Sequence, residues 1–109
     1  MPQANVFCRG VFAGTLTKEL EGAYRFEYAL EYRNDPRCPA VSLTLPKQEA
    51  PFVSPVLFPF FFGLMAEGDD KALQCRVLKI DERDHFQRLV RTCEVETIGG
   101  VTVKEVVDA

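Results

Sequence analysis

Tyr24-Arg25-Phe26-Glu27-Tyr28 alternates aromatic and charged residues with a period of two, the pattern of a strand with one buried and one wet face. Three aromatic rings on one side and two charges on the other leave little room for a helical reading. Upstream, Asn5 to Cys8 and Val11 to Thr17 are β-prone and separated only by Arg9-Gly10. A two-residue connection whose glycine takes a positive φ predicts a tight hairpin. Gly14 falls inside the second of these segments, where a missing side chain predicts a bend, a bulge or a close backbone approach.

Downstream, Asn34-Asp35-Pro36-Arg37-Cys38-Pro39 is dense in turn formers, and each proline removes a donor and restrains its predecessor. This predicts a loop. Val41-Ser42-Leu43-Thr44-Leu45 alternates again, which predicts a strand with its three apolar residues on one face, ended by Pro46. The period then changes. Ser54-Pro55 can open a helix, but Pro59 would fall inside it, so a regular helix is expected to start near Leu57 to Pro59 and to end at Gly63 or Gly68. Asp69 to Ile80 places Leu73, Val77 and Ile80 at i, i+4 and i+7, which predicts a helix with one apolar face and acidic residues at its positive end. Asp84 and Gln87 have capping-box-like spacing, with Phe86, Leu89, Val90 and Cys93 on one face and Arg88 and Arg91 facing water. Gly99-Gly100 precedes the β-branched run Val101 to Val106, expected to pair with the N-terminal strands.

Strands first, helices next and a strand last describe an α+β domain: a small antiparallel sheet or partly open β-barrel with about three helices on one side. The 109 residues suit a single domain over 1–109. A composition of 47% hydrophobic and 27% charged residues is that of an ordinary globular protein. A net charge of -3 supplies no basic stripe to neutralise phosphates, so direct nucleic-acid binding is not expected. The most apolar stretch, Pro51 to Ala66, is broken by Pro55 and Pro59 and falls short of the about 20 residues that cross a membrane. The start, Met1-Pro2-Gln3-Ala4-Asn5, has neither the basic nor the apolar region of a secretion signal. A cytoplasmic protein is expected. In that reducing setting Cys8, Cys38, Cys75 and Cys93, never two or three residues apart, read as small apolar side chains and not as a zinc knuckle or redox pair.

The residues point away from catalysis. Neither GxGxxG nor GxxxxGK[ST] occurs, and Asp81-Glu82-Arg83-Asp84 reads as a cap and solvated connection beside a helix start. His85 is the sole histidine; a general base needs a nucleophile near it, and the sequence identifies none. No metal set, cofactor or enzymatic activity is therefore expected. Phe58-Pro59-Phe60-Phe61-Phe62 is the unusual feature, because four rings in five positions cannot all lie on the roughly 100° apolar arc of a short helix. Either a neighbouring loop, Lys47 to Val53, closes over the remainder, or the remainder is a partner-binding surface.

From Val6 to Val103 the chain resembles the HipA N-terminal subdomain family. The likeness is carried by Gly14-Thr15-Leu16, by Tyr24 to Tyr28 with Tyr32, and by Ser42-Leu43-Thr44-Leu45-Pro46. It continues in Pro59-Phe60-Phe61-Phe62-Gly63-Leu64-Met65-Ala66-Glu67-Gly68 and Gly99-Gly100-Val101. The chain departs from the family's Leu-Leu-Pro-Glu-Gly at Leu64 to Gly68, carries Asp69 where small relatives have an aromatic residue, and alters the Cys-x-Gly-Ala-Val ending at Thr97 to Val101. In that family the subdomain packs on a serine/threonine kinase toxin. With the chain stopping at Ala109, the resemblance implies a stand-alone HipS-like protein of a split, bacterial toxin-antitoxin system. The implied partner is a HipA-like kinase lacking its own N-terminal subdomain, with a helix-turn-helix DNA-binding protein as a further member of the complex. The implied function is to bind and restrain that kinase; the alternative is a module that completes or activates it. The expected docking face spans Phe58 to Asp69, with Phe58, Phe61, Leu64 and Met65 as apolar anchors and Glu67, Gly68 and Asp69 at the rim.

Overall fold

Arg9 and Gly10 both adopt positive φ, 52° and 81°, the backbone that a two-residue hairpin of matching twist demands. They join β1 (Gln3–Cys8) to β2 (Val11–Lys18), as the sequence predicts. The chain then forms β3 (Tyr24–Tyr28), α1 (Leu30–Asn34), β4 (Phe52–Ser54), α2 (Pro59–Phe62), α3 (His85–Thr92) and β5 (Val101–Glu105). This computed structural model describes residues 3–19, 22–65, 73, 75–77, 79–81, 84–92 and 100–106.

The five strands make one open antiparallel sheet in the order β4-β3-β2-β1-β5. The fold is α+β, and the sheet is open, not closed into a barrel. The last strand returns beside the first, Val6 opposite Val103 and Cys8 opposite Val101. The bend expected at Gly14 has two parts. Val6 faces Gly14 but Phe7 faces Phe12, so Ala13 is the extra residue of a bulge in β2. Gly14 itself lies so close to β3 that a Cβ there would sit 2.3 Å from the Glu27 carbonyl oxygen.

The inner face carries Ala4, Val6, Leu16, Tyr24, Phe26, Tyr28, Val101 and Val103, all buried, and meets Phe61 of α2 and Phe86, Leu89 and Val90 of α3. Arg25 and Glu27 face outward and pair at 3.0 Å. α3 begins as expected: the Asp84 carboxylate accepts the Gln87 N–H at 3.1 Å, which satisfies one of the helix's free N-terminal donors.

Four expectations fail. Val41 to Leu45 is no strand: Ser42 and Leu45 form an isolated bridge around a tight turn. Val41 and Leu45 are buried at its base, but Leu43 is 100% exposed at its tip. The segment expected as a closing loop contributes β4, an edge strand in which Phe52 faces Phe26, and α1 is a short helix that the sequence did not announce. Within Asp69 to Ile80, residues 73 and 75–77 are helical, yet Leu73 and Val77 face solvent and Cys75 is buried. Lys79 has φ 58° and Ile80 N–H donates to the Cys75 carbonyl at 2.8 Å, a helix-ending arrangement that takes Ile80 off the helix. Finally, Arg88 is buried, while Arg91 is exposed as expected. Its long methylene stem allows an arginine to lie against apolar surface.

Candidate functional site

Pro59 occupies the first turn of α2, where its missing N–H removes nothing, and Gly63 caps the end, its N–H reaching the Pro59 carbonyl at 2.9 Å. Leu64 and Met65 continue the winding through N–H bonds to the Phe61 and Phe62 carbonyls. This short rigid element distributes the phenylalanines in two directions. Phe61 is fully buried and meets Phe26, Phe58 and Phe60 edge-on at 5.7, 6.2 and 5.2 Å. Phe62 meets the His85 ring at 4.9 Å. Phe60, Phe62 and Leu64 are half-buried and pack against the rim of the core.

Of the residues expected to meet a partner, Phe58, Phe61 and Met65 are thus buried in this domain and have no surface left to offer as anchors. The reason is the sheet: the aromatic face of β3 takes up the rings that a lone helix could not hide. Leu64 retains surface. Glu67, Gly68 and Asp69 lie outside the described residues.

A second constellation lies where the structure replaces the expected strand with a turn. The Tyr28 hydroxyl accepts the Val41 N–H at 3.0 Å and donates to the Leu45 carbonyl, which clamps both feet of the turn. The Tyr32 hydroxyl donates to the Pro39 carbonyl at 2.5 Å, and its ring stacks on Tyr28 at 6.0 Å. The Lys47 ammonium donates to the carbonyls of Tyr32, Asp35 and Cys38 at 3.3, 2.7 and 2.7 Å. It therefore sits at the C-terminal end of α1, where positive charge is favoured. Burial pushes both phenols above their usual pKa, Tyr32 the more strongly, with Cys8 adding to the effect. At the loop's start Arg37 donates to both carboxylate oxygens of Asp35 at 3.2 Å, and this hydrogen bonding holds the Asp35 pKa below its ordinary value. The result is a braced loop that carries Leu43 into solvent.

His85 lines an open depression of about 460 Å³ together with Tyr24, Leu57, Phe62 and Lys18. Burial, and then the nearby Asp84, push the Tyr24 phenol above its ordinary pKa. Among the described residues, no group of three or more His, Cys, Asp or Glu is arranged to hold a metal ion. Cys8, Cys38 and Cys75 are free thiols. No helix among the described residues is long and apolar enough to cross a membrane.

Comparison with known proteins agrees with this architecture. Residues 4–104 match the family described as HipA N-terminal domain. An uncharacterized protein of Haemophilus influenzae is 35% identical over 100 residues, covering 92% of this chain and 89% of that protein. A Sinorhizobium fredii protein named "Putative kinase Y4mE" is 29% identical over 87 residues; these cover 80% of this chain and 21% of that much longer protein. A solved structure described as the N-terminal domain of HipA toxin superposes with a TM-score of 0.73 at 27% identity, over 100% of this chain and 96% of that one. On the match across 4–104, this chain belongs to the HipA N-terminal domain family.

Proposed function

We propose that the chain is a non-catalytic subunit that binds and restrains a HipA-like serine/threonine kinase toxin, in the manner of an antitoxin. The observation that carries this reading is the shared domain: nearly the whole chain matches the HipA N-terminal domain, and the same chain matches 21% of the kinase-named Y4mE. A unit of this size that recurs within a longer kinase is suited to occupy the place of such a domain on a separate kinase that lacks one. A helix-turn-helix DNA-binding protein is a further member of the proposed complex, and the setting is cytoplasmic.

The docking face runs from Phe58 to Asp69. Its buried members, Phe58, Phe61 and Met65, hold α2 in place from below. The contact itself falls to Phe60, Phe62 and Leu64, whose half-buried side chains border the exposed Pro59 and Gly63. The proposed rim consists of Glu67, Gly68 and Asp69, which lie outside the described residues, and rim charge steers association more than it tightens it.

The test is co-expression with a HipA-like kinase lacking its own N-terminal subdomain. Rescue of growth and co-purification are expected, and Leu64→Asp weakens both by about tenfold or more through the loss of one apolar contact. Increased toxicity on co-expression would instead identify a module that completes the kinase. Failure to co-purify, with toxicity unchanged, would refute both. Consumption of ATP by the purified chain alone would refute the non-catalytic part.

A further inference from the structure

The sheet has a second face. Its cross-strand rows are legible from the register: Gln3, Thr17 and Arg25 form one, and Asn5, Thr15 and Glu27 the next. Antiparallel sheets commonly leave such a polar face to water. Here the face changes character toward the hairpin, where Phe12 is 41% and Leu30 62% exposed, with the half-buried Phe7 ring 5.8 Å from that of Phe12; Val11, opposite the buried Cys8, projects to the other side of the hairpin. Two adjoining depressions of about 510 and 620 Å³ share Phe12, Ala29 and Leu30. One continues along β2 past Thr15 and Thr17 to Glu19; the other turns over α1 to Glu31 and Asp35.

Among the described residues, the charged side chains that line these depressions are mostly acidic: Glu19, Glu27, Glu31 and Asp35, with Arg25 as the lining cation. Glu27 is engaged by Arg25 and Asp35 by Arg37, whereas Glu19 and Glu31 form no ion pair among the described residues. Lys104, opposite Asn5 on the same face, places its ammonium 5.6 Å from the Phe7 ring, on the β1 side of the cluster and away from Glu19 and Glu31, which line the depressions over β2, β3 and α1. An uncommitted carboxylate therefore lies in each of the two depressions, with an exposed aromatic and aliphatic cluster where they meet. From Phe12 to Glu19 the strand rise gives a trough roughly 23 Å long, the length of a helix of about 15 residues.

We propose that this outer sheet face is a second docking surface, separate from the α2 face, and that its occupant is a basic amphipathic helix of a partner protein. Apolar side chains of that helix cover Phe12 and Leu30, while its Lys or Arg residues meet Glu31 at one end and Glu19 at the other. Exposed contiguous apolar residues rimmed by charge are the surface type that interfaces use. Complementary charge sets the orientation and speeds the encounter.

The test uses two labelled synthetic helical peptides of about 15 residues, one patterned with Lys and Leu and the other with Glu and Leu. Binding is followed by fluorescence anisotropy at low and high salt, and the site is mapped by amide shifts of the isotope-labelled chain. The Lys/Leu peptide is expected to bind about tenfold or more tightly than its acidic counterpart, more weakly at high salt, with shifts on β2, β3 and α1. Leu30→Ser is expected to weaken it about tenfold, and Glu31→Lys to do so mainly at low salt. Both positions are exposed, so circular dichroism should show an unchanged fold. Equal binding of the two peptides, no binding, shifts confined to α2, or full affinity in both variants would each overturn the proposal. None of these outcomes bears on kinase docking, which uses the other face.

Discussion

Replacing Gly14 with alanine adds one methyl group at the tightest point between β2 and β3. That Cβ would lie 2.3 Å from the Glu27 carbonyl oxygen, 3.0 Å from Tyr28 Cα and 3.1 Å from Glu27 carbonyl carbon. All three are backbone atoms of the paired strand, so no rotamer change relieves the clash. Ordinary contact requires β3 to retreat by about 1 Å, across a ladder that runs from Gly14 opposite Tyr28 to Lys18 opposite Tyr24. Overpacking of this kind costs about 1–3 kcal/mol, and backbone rigidity puts this site in the upper half of that range. The lost freedom of the unfolded chain returns about 0.5 kcal/mol. The net loss is about 2 kcal/mol, a fall in Tm of roughly 10 °C for a domain of this size. Gly10→Ala is the control. Its Cβ would meet nothing within 4 Å, but φ is +81°, so only the left-handed backbone is penalised, by about 1 kcal/mol. Urea and thermal unfolding measure both. Because Tyr28 moves with β3, amide shifts at Val41 and Leu45 should also change in Gly14→Ala. Stability within about 0.5 kcal/mol of the parent, or a smaller loss than in Gly10→Ala, would refute the close-approach argument.

Leu43→Ser should leave stability within about 0.5 kcal/mol, because the side chain is fully exposed, whereas Leu45→Ala should lose about 2–4 kcal/mol; urea unfolding separates them, and equal losses would restore the strand that the alternation suggests. Asp84→Ala removes the bond to the Gln87 N–H and should cost about 1 kcal/mol, read as a lower Tm with faster amide exchange at Gln87. The buried phenols of Tyr28 and Tyr32 have raised pKa values, so the folded state holds their protons more tightly than the unfolded one. Their contribution to stability is complete below the ordinary phenol value of 10.0 and is lost as pH rises through the folded values. Unfolding followed against alkaline pH should show that decline, and Tyr32→Phe should flatten it; an unchanged slope would remove Tyr32 from the account.

Four of the five strands, β1, β2, β3 and β5, were readable because their periodicity and turn chemistry agree. β3 alternates without exception, Arg9-Gly10 supplies the backbone for a two-residue turn, and Val101 to Glu105 is β-branched enough to seek a partner strand. The Asp84 cap was readable for the same reason, since an acceptor and the N–H that it satisfies lie three residues apart. α1 and β4 were not readable. Each is short, and each depends on a neighbour far along the chain: Lys47 closes the end of α1, and β4 exists only as an edge against β3. The candidate docking residues divide along the same line. Composition singled out the phenylalanine run, but whether Phe58, Phe61 and Met65 face a partner or the core depends on how much room the aromatic face of β3 leaves. Nothing local announced that Phe12 and Leu30 line the same depressions, because one lies on β2 and the other follows β3.

Sequence by itself determined β1, β2, β3 and β5, where the hairpin turns, how α3 begins, and which family the motifs resemble. Those properties are set within a few residues by backbone sterics and by hydrogen bonds between near neighbours. Only the tertiary structure decided that Ser42 to Leu45 turns, that Leu73 and Val77 face water, and that Arg88 is buried. In the first case the decision is made by Tyr28, whose hydroxyl, 13 and 17 residues away in sequence, binds both feet of the turn. An alternating pattern says which side chains lie together if the chain stays extended; whether it stays extended depends on which distant groups bind its backbone.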